Sequence, residues 1–306
     1  MPRPTTTLVG DLPVHRIGFG AMRITGTGVW GPPPDREAAR ELLREALRLG
    51  VDFLDTADSY GPDASEEILA EALHPYPDGL VVATKGGYLR EGPFEWRTEG
   101  RPERLRAACE GSLRRLRLDT IPLYYLHTPD PAVPFEESIG ALSELRAEGK
   151  ILHVGVSNVG IAEFERAQAI VPIVAVQNRY SLAERGDEEL LRACEEEGIA
   201  FVPWFPLLRG SLASKRSGSL KRIAAAHEAT PAQIALSWLL YRSPAIVPIP
   251  GTSDLRHLRE NTAAATIELS SYDLASLEQF RGPRRIPQPL RTAVKRAFGY
   301  LPLSRR

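Results

Sequence analysis

The sequence predicts an α/β protein built as a single (β/α)8 (TIM) barrel, with an N-terminal β-hairpin and a C-terminal helical tail. Eight short apolar runs recur along the chain, and amphipathic helical patterns lie between them. No linker rich in Gly and Ser divides the series. A chain of 306 residues with 43% apolar side chains can bury one large core, and α/β barrels often exceed the usual domain size. The barrel is expected over residues 1–280. A basic tail, 281–306, is expected to pack on it.

The strand candidates are 15–18, 51–55, 79–84, 121–126, 151–156, 173–177, 200–204 and 245–249. They are rich in Val, Ile and Leu without strict alternation, as parallel strands buried on both faces should be. The first long helix opens with Asp35 as its cap and stops at Gly50. Its stripe is Ala39, Leu42, Leu43, Ala46 and Leu47. "RPERLRAACEGSLRRLRLD", "PFEESIGALSELRAEGK", "GDEELLRACEEEG" and "SDLRHLRENTAAA" continue the alternation, and "TPAQIALSWLLYRSP" adds a very apolar helix. "TLVGDLPV" carries a Gly-Asp turn suited to a hairpin closing the barrel's lower end. An open doubly wound sheet is the competing fold. Against it, Gly18-x-Gly20 is not followed promptly by a helix, and no acidic residue closes a following strand at the dinucleotide-fold distance.

Composition excludes several classes of function. The 38 basic and 39 acidic side chains nearly cancel, so there is no global pull toward nucleic acid or anionic lipid. Cys109 and Cys194 lie far apart in helical patterns and read as reduced, buried thiols. No spacing suggests a metal site. The N-terminus lacks the apolar core of a signal peptide, and no run is long enough to cross a bilayer. A cytoplasmic protein without an integral membrane segment is expected. Its charge leaves a homo-oligomer open.

In such a barrel the C-terminal ends of the strands meet at one mouth. Read in order, they give Gly20-Ala21-Met22, then Asp55 and Tyr60, Lys85, His127, Ser157-Asn158, Gln177-Asn178 and Trp204. Each has an ordinary structural explanation alone: a cap, a rim aromatic, a solvated lysine, a loop histidine, a core tryptophan. Asp58 reads as a local turn residue. Together, at successive strand ends, they read as a reactive site.

These motifs, in this order over nearly the whole chain, resemble the aldo-keto reductases. Within them, "GPPPDRE", "ALHPYPDGLVVATKGG" and "PIPGTSDLRHLREN" look most like a bacterial subgroup that includes pyridoxal reductases. The resemblance implies a barrel that binds a nicotinamide cofactor, NADPH rather than NADH, and reduces aldehydes and ketones to alcohols. Asp55, Tyr60, Lys85 and His127 match the catalytic tetrad. Tyr60 would deliver the proton, Asp55 would hold Lys85, and His127 would orient the carbonyl. A charged lysine about 4 Å from a phenol, at an effective dielectric of about 20, favours the phenolate by roughly 4 kcal/mol before desolvation. A Tyr60 pKa below its ordinary value is therefore expected. A minority branch with Glu in place of the histidine reduces carbon–carbon double bonds, so His127 favours carbonyl reduction.

The resemblance also assigns cofactor contacts. Ser157, Asn158 and Gln177 match positions that hold the nicotinamide carboxamide, and Trp204 matches the stacking aromatic. Gly20, Ala21 and Met22 match backbone beside the cofactor. Pro206, Leu207 and Gly210 belong to the loop over the pyrophosphate, where Phe205 stands in place of a frequent serine. Gly251, Thr252, Ser253, His257, Glu260 and Asn261 match the adenosine end. The best-known branch has Lys at Gly251 and Arg at His257; Arg256 is the nearby cation. Thr128 replaces a frequent arginine after the histidine.

Substrate choice falls to loops carrying Trp30, Tyr88, Phe94 and Trp96, which suit a small-molecule carbonyl substrate that is flat or aromatic, such as pyridoxal. Arg23, Arg90 and Arg179 are candidate cations for its phenolate oxygen. The alternative function is a redox-sensing regulatory subunit that binds NADPH with little turnover. In the tail, Leu290, Val294, Phe298 and Leu301 share one helical face.

Overall fold

The computed structural model describes residues 4–207 and 218–280. Two short strands, β1 (Thr6–Val9) and β2 (Leu12–His15), pair antiparallel around Gly10-Asp11. The turn requires a positive φ of 67° at Gly10, and an added Cβ would meet the His153 ring at 2.7 Å. Strand alternation turns Val9 and Val14 inward. Both are fully buried among Phe53, Val81, Leu123, Tyr125, Ala175 and Val247, the residues that fill the barrel. The hairpin is thus a plug, pinned where Asp11 accepts a bond from His153 (2.6 Å) and Asp52 one from His15 (2.7 Å).

Among the described residues, seven parallel strands form the sheet: β3 (Phe19–Gly20), β4 (Phe53–Asp55), β5 (Val81–Gly86), β8 (Ile121–Leu126), β9 (Ile151–Ser157), β10 (Ile173–Gln177) and β11 (Ala200–Phe201), each beside the next. The short antiparallel pair β6 (Tyr88–Leu89) and β7 (Arg97–Thr98) follows β5. Two expectations are corrected here. The first barrel strand lies beyond 15–18, because His15 belongs to the hairpin and Arg16 N–H donates to Thr5 O at 3.0 Å. Residues 245–249 take the eighth position without forming a regular strand. Phe201 N–H donates to Ala245 O and Val247 N–H to Phe201 O, both at 2.9 Å, while Gly18 N–H donates to Pro248 O at 3.0 Å. Those bonds close the barrel. Pro248 and Pro250 have no N–H to give, which keeps the ladder irregular.

The outer layer comprises α1 (Arg36–Arg48), α2 (Ala64–Leu73), α3 (Pro102–Leu116), α4 (Phe135–Ala147), α5 (Ile161–Gln168), α6 (Glu188–Glu196), α7 (Gly218–Ala226), α8 (Pro231–Arg242), α9 (Leu255–Ala263) and α10 (Ser271–Glu278). Asp35 caps α1, accepting from Ala38 N–H at 2.8 Å, and the buried stripe is Ala39, Leu42, Leu43 and Ala46. The very apolar α8 buries Ile234 through Leu240. The tail residues 281–306 and Gly210 lie outside the described residues. No helix among the described residues is long and apolar enough to cross a membrane.

Candidate active site

β4 ends at Asp55, and the chain then turns across the mouth. That turn is tied to the neighbouring strand, Thr56 N–H donating to Ala83 O (2.8 Å) and Asp58 N–H to Lys85 O (3.3 Å). Along β5 successive side chains face opposite ways. Lys85 turns in to Asp55. Thr84 turns out and donates to Glu66 Oε1 at 2.5 Å.

Lys85 is fully buried. Its ammonium donates to Asp55 Oδ1 and to Thr56 O, each at 2.6 Å. The second carboxylate oxygen of Asp55 accepts from Gln177 Nε2 at 2.7 Å. Beside this pair the Lys85 Nζ lies 5.1 Å from the centre of the Tyr60 ring. Tyr60 and His127 are both 7% exposed, with ring centres 5.8 Å apart at 78°. The structure therefore brings all four predicted residues together.

Electrostatics revise one expectation. Tyr60 is not shifted down; its pKa is pushed well above its ordinary value. Burial is the main cause, and the Asp55 carboxylate adds to it. The lysine charge is shared with Asp55, so it does not outweigh desolvation of a phenolate. Burial also lowers the Lys85 ammonium and raises the Asp55 carboxyl, each opposed by the attraction of its partner. His127 is driven well below its ordinary value by burial and then by the Lys85 charge, so it is a neutral imidazole. Ser59 Oγ lies 3.4 Å from its Nδ1. When Nδ1 accepts from that hydroxyl, the ring proton sits on Nε2 and can be donated. The residues are thus a neutral proton donor, a neutral hydrogen-bond donor and a fixed cation around one point.

Next to this cluster, Asn158 adopts a left-handed φ of 59°. Its Nδ2 donates to His127 O (2.9 Å) and Ser157 Oγ (3.1 Å), and its Oδ1 accepts from Trp204 Nε1 at 3.1 Å. Asn158 and Gln177 therefore bond tetrad residues directly, and Ser157 and Trp204 join them through Asn158. Asn178 plays a part the sequence did not reveal. Its side-chain amide brackets Val159, accepting from N–H at 3.2 Å and donating to O at 2.7 Å, and fixes the turn after β9. Phe205 has a φ of 62°, Pro206 is buried and Leu207 packs on the main core.

On the far side, Gly20 and Gly251 touch. A Cβ on Gly251 would lie 2.6 Å from Gly20 O, and one on Gly20 would lie 2.8 Å from Ile249 O. The lysine expected from the best-known branch has no room at Gly251. Ala21 is fully buried and Met22 half-buried, in a single 3₁₀ turn at 21–24. Thr252 Oγ1 accepts from Asp254 N–H at 3.0 Å. Asp254 in turn caps α9, accepting from Arg256 N–H (2.7 Å) and His257 N–H (3.2 Å). Ser253 and His257 are exposed and Asn261 is buried. Arg256 bonds both Glu260 (2.9 Å) and His257 (3.1 Å).

Above the mouth, Tyr88 stands edge-on to His127 at 4.7 Å and to Trp96 at 5.3 Å, and its hydroxyl bonds the Thr128 side chain. Among the candidate substrate cations, Arg90 bonds backbone carbonyls and Arg179 pairs with Glu184. Arg23 flanks Gly251 on the opposite side.

With this geometry in hand, comparison with known proteins is decisive. The pattern of the Aldo/keto reductase family matches residues 16–281. The chain belongs to that family. An uncharacterised oxidoreductase of Schizosaccharomyces pombe is 47% identical over 274 residues, covering 90% of this chain and 89% of that one. Pyridoxine 4-dehydrogenase of Escherichia coli is 43% identical over 279 residues, covering 89% and 97%. An aldo-keto reductase from Klebsiella pneumoniae, crystallised in complex with NADPH, superposes with a TM-score of 0.79 at 28% identity, covering 93% and 98%. The protein is thus a nicotinamide-dependent oxidoreductase with the barrel fold of its family.

Proposed function

We propose that this reductase uses NADPH to reduce a flat aromatic aldehyde, of which pyridoxal is the leading example, to its alcohol. The observation that carries the reading is the buried Asp55–Lys85 pair beside Tyr60 and His127. When bound, NADPH supplies hydride to the carbonyl carbon. The rest is done by side chains. His127, neutral, donates from Nε2 to the carbonyl oxygen and fixes its direction. Tyr60 gives its proton to the same oxygen as negative charge develops there. Lys85 then stabilises the phenolate left behind, and Asp55 keeps the ammonium in place. A raised Tyr60 pKa suits this direction, because the phenol carries its proton at any neutral pH.

The donor set suits the cofactor. Ser157, Asn158 and Gln177 offer the mixture of donors and acceptors an amide ring substituent needs, with the Trp204 ring alongside. The Gly20–Gly251 contact gives a side-chain-free path between the nicotinamide and adenosine ends. With Gly251 closed to lysine, Arg256 and His257 are the groups placed for the 2′-phosphate, with Thr252, Ser253, Glu260 and Asn261 around adenosine. The substrate reading draws on the E. coli relative's name and on the aromatic side chains at the mouth.

The test is NADPH oxidation with pyridoxal, 4-nitrobenzaldehyde and methylglyoxal, with NADH in parallel. Wild type is expected to turn over at least one aldehyde, and Tyr60→Phe to lose about 10²–10⁴-fold in kcat. A Tyr60→Phe enzyme as fast as wild type would sink the assignment. NADPH binding without turnover of any carbonyl would replace it with a sensing role.

A further inference from the structure

Arg90 lies at the end of β6, beside the mouth but outside the tetrad. Its guanidinium spends all five N–H groups on backbone carbonyls. Nε donates to Glu95 O (2.6 Å), one terminal nitrogen to Val29 O (2.9 Å) and Ser59 O (3.0 Å), and the other to Gly28 O (2.9 Å) and Gly92 O (3.3 Å). These acceptors come from three separate stretches. Gly28 and Val29 belong to the loop after the first barrel strand. Glu95 and Gly92 belong to the loop between β6 and β7. Ser59 immediately precedes Tyr60. The Arg90 guanidinium carbon is also 3.8 Å from the centre of the Trp96 ring.

Few other bonds join these stretches. The direct backbone bonds between them are Phe94 N–H to Gly28 O (3.3 Å) and Gly61 N–H to Val29 O (3.2 Å). Gly28, Val29, Gly31 and Phe94 all have positive φ, so the loops hold conformations that local propensity does not favour for Val or Phe. Phe94 and Trp96 remain 53% and 38% exposed, so core packing does not fix them. Yet Trp96 faces the reacting groups, its ring 6.4 Å from both Tyr60 and His127. Something has to hold that ring, and the guanidinium lies against it. The charge has no carboxylate partner among the described residues. Its neighbours are carbonyl dipoles and an aromatic face, both attractive to a cation.

We propose that Arg90 is the specificity-setting positioning residue of this reductase, lashing both mouth loops to the Tyr60 turn and seating Trp96 as a fixed wall for a flat aromatic aldehyde. The role needs the planar fork of five donors rather than charge alone. Lysine offers three donors from one point and cannot reach three stretches at once. The inference rests on the carbonyl-reductase reading above.

The experiment compares wild type, Arg90→Lys, Trp96→Ala and the double variant, each with NADPH and either 4-nitrobenzaldehyde or propanal. Arg90→Lys is expected to raise KM for 4-nitrobenzaldehyde tenfold or more, with a much smaller change in kcat. The ratio of kcat/KM between the aromatic and the aliphatic aldehyde should fall about tenfold. Trp96→Ala should lower the same ratio, and the double variant should be no worse than the poorer single one, because both changes remove one wall. An Arg90→Lys enzyme that keeps the wild-type ratio overturns the inference while leaving the reductase reading intact. An equal loss with both aldehydes also overturns it, since that marks general damage to the turn. A wild type that reduces neither aldehyde overturns both readings.

Discussion

Two acid–base pairs, one fully buried and one half-buried, lie on opposite faces of β4 and β5 and their surroundings. Inside the mouth, Asp55 meets Lys85 at 2.6 Å. On the outer face, Glu66 of α2 meets Arg115 of α3 at 2.7 Å and also accepts from Thr84. The inner pair is balanced, one acid to one base, with Gln177 and Thr56 O completing its hydrogen bonds. The outer pair is not. Asp63 approaches Arg115 at 3.1 Å, and Asp58 sits nearby with its Oδ1 buried and unpartnered among the described residues. Burial pushes the Asp58 carboxyl up to about 8, and the negative Glu66 adds to the push. A cavity of about 270 Å³ lies against this cluster, lined by Asp58, Ser59, Tyr88 and Arg115. A balanced pair can hold a charge ready for chemistry. An unbalanced one leaves the Asp58 carboxyl, two residues before Tyr60, holding its proton.

The comparison can be broken most forcefully at its inner member. Lys85→Met removes the cation that receives the phenolate and leaves Asp55 buried without its partner. A loss of at least about 10³-fold in kcat for aldehyde reduction is expected, measured at saturating NADPH; a loss below tenfold would mean Lys85 is structural only. At the outer member the effect should fall on stability instead. Glu66→Gln leaves Arg115 with a weaker partner, and chemical denaturation should show a loss of about 3 kcal/mol, the low end for a buried pair because Arg115 is partly exposed. The kcat of the folded protein should change little, since Glu66 faces away from the mouth.

pH sharpens the same contrast. The raised Tyr60 pKa means the proton donor stays loaded as pH rises, so aldehyde reduction should hold a plateau through neutral and mildly alkaline pH. Alcohol oxidation needs the deprotonated phenol and should climb over that range. Opposite slopes in the two directions check this, and an oxidation rate flat from pH 7 to 10 would contradict it.

The smallest effect belongs to Asp58. Its folded pKa of about 8 lies above the unfolded value of about 3.9. Between those values the folded protein keeps a proton that the unfolded chain has released, so stability falls as pH rises from about 4 to about 8 and levels off above that. Asp58→Asn removes the ionisation. Its melting midpoint above pH 8 should exceed that of wild type by a few degrees, and the gap should narrow below pH 8 and close near pH 4.

Much of this was legible in the chain. Asp55, Lys85, His127, Gln177 and Trp204 stand out because each ends, or directly follows, a run that could only be a buried strand, and a barrel brings such ends to one mouth. The N-terminal hairpin was readable from Gly10-Asp11 for the same local reason. The first strand was misplaced, and the eighth, correctly placed at 245–249, proved irregular, because their form depends on long-range bonds involving Gly18, Thr5 and Phe201, which apolar runs do not encode. Asp58 does lie in the turn the sequence suggests, but its electrostatic surroundings were not legible, because Glu66 and Arg115 arrive on helices from later in the chain. Arg90 looked like a loose cation because its partners are backbone carbonyls, which every residue carries.

What the sequence determined by itself is the order of buried strands and the chemical identity of the groups at their ends, since hydrophobic period and residue type are local properties. Only the tertiary structure decided the charges and positions of those groups. Tyr60 is neutral because burial outweighs a lysine already claimed by Asp55. Gly251 excludes a side chain because Gly20 O lies against it, and the mouth loops hold their shape because one guanidinium spans three stretches of backbone. Each is a balance between desolvation, charge and close approach that exists only once distant segments meet.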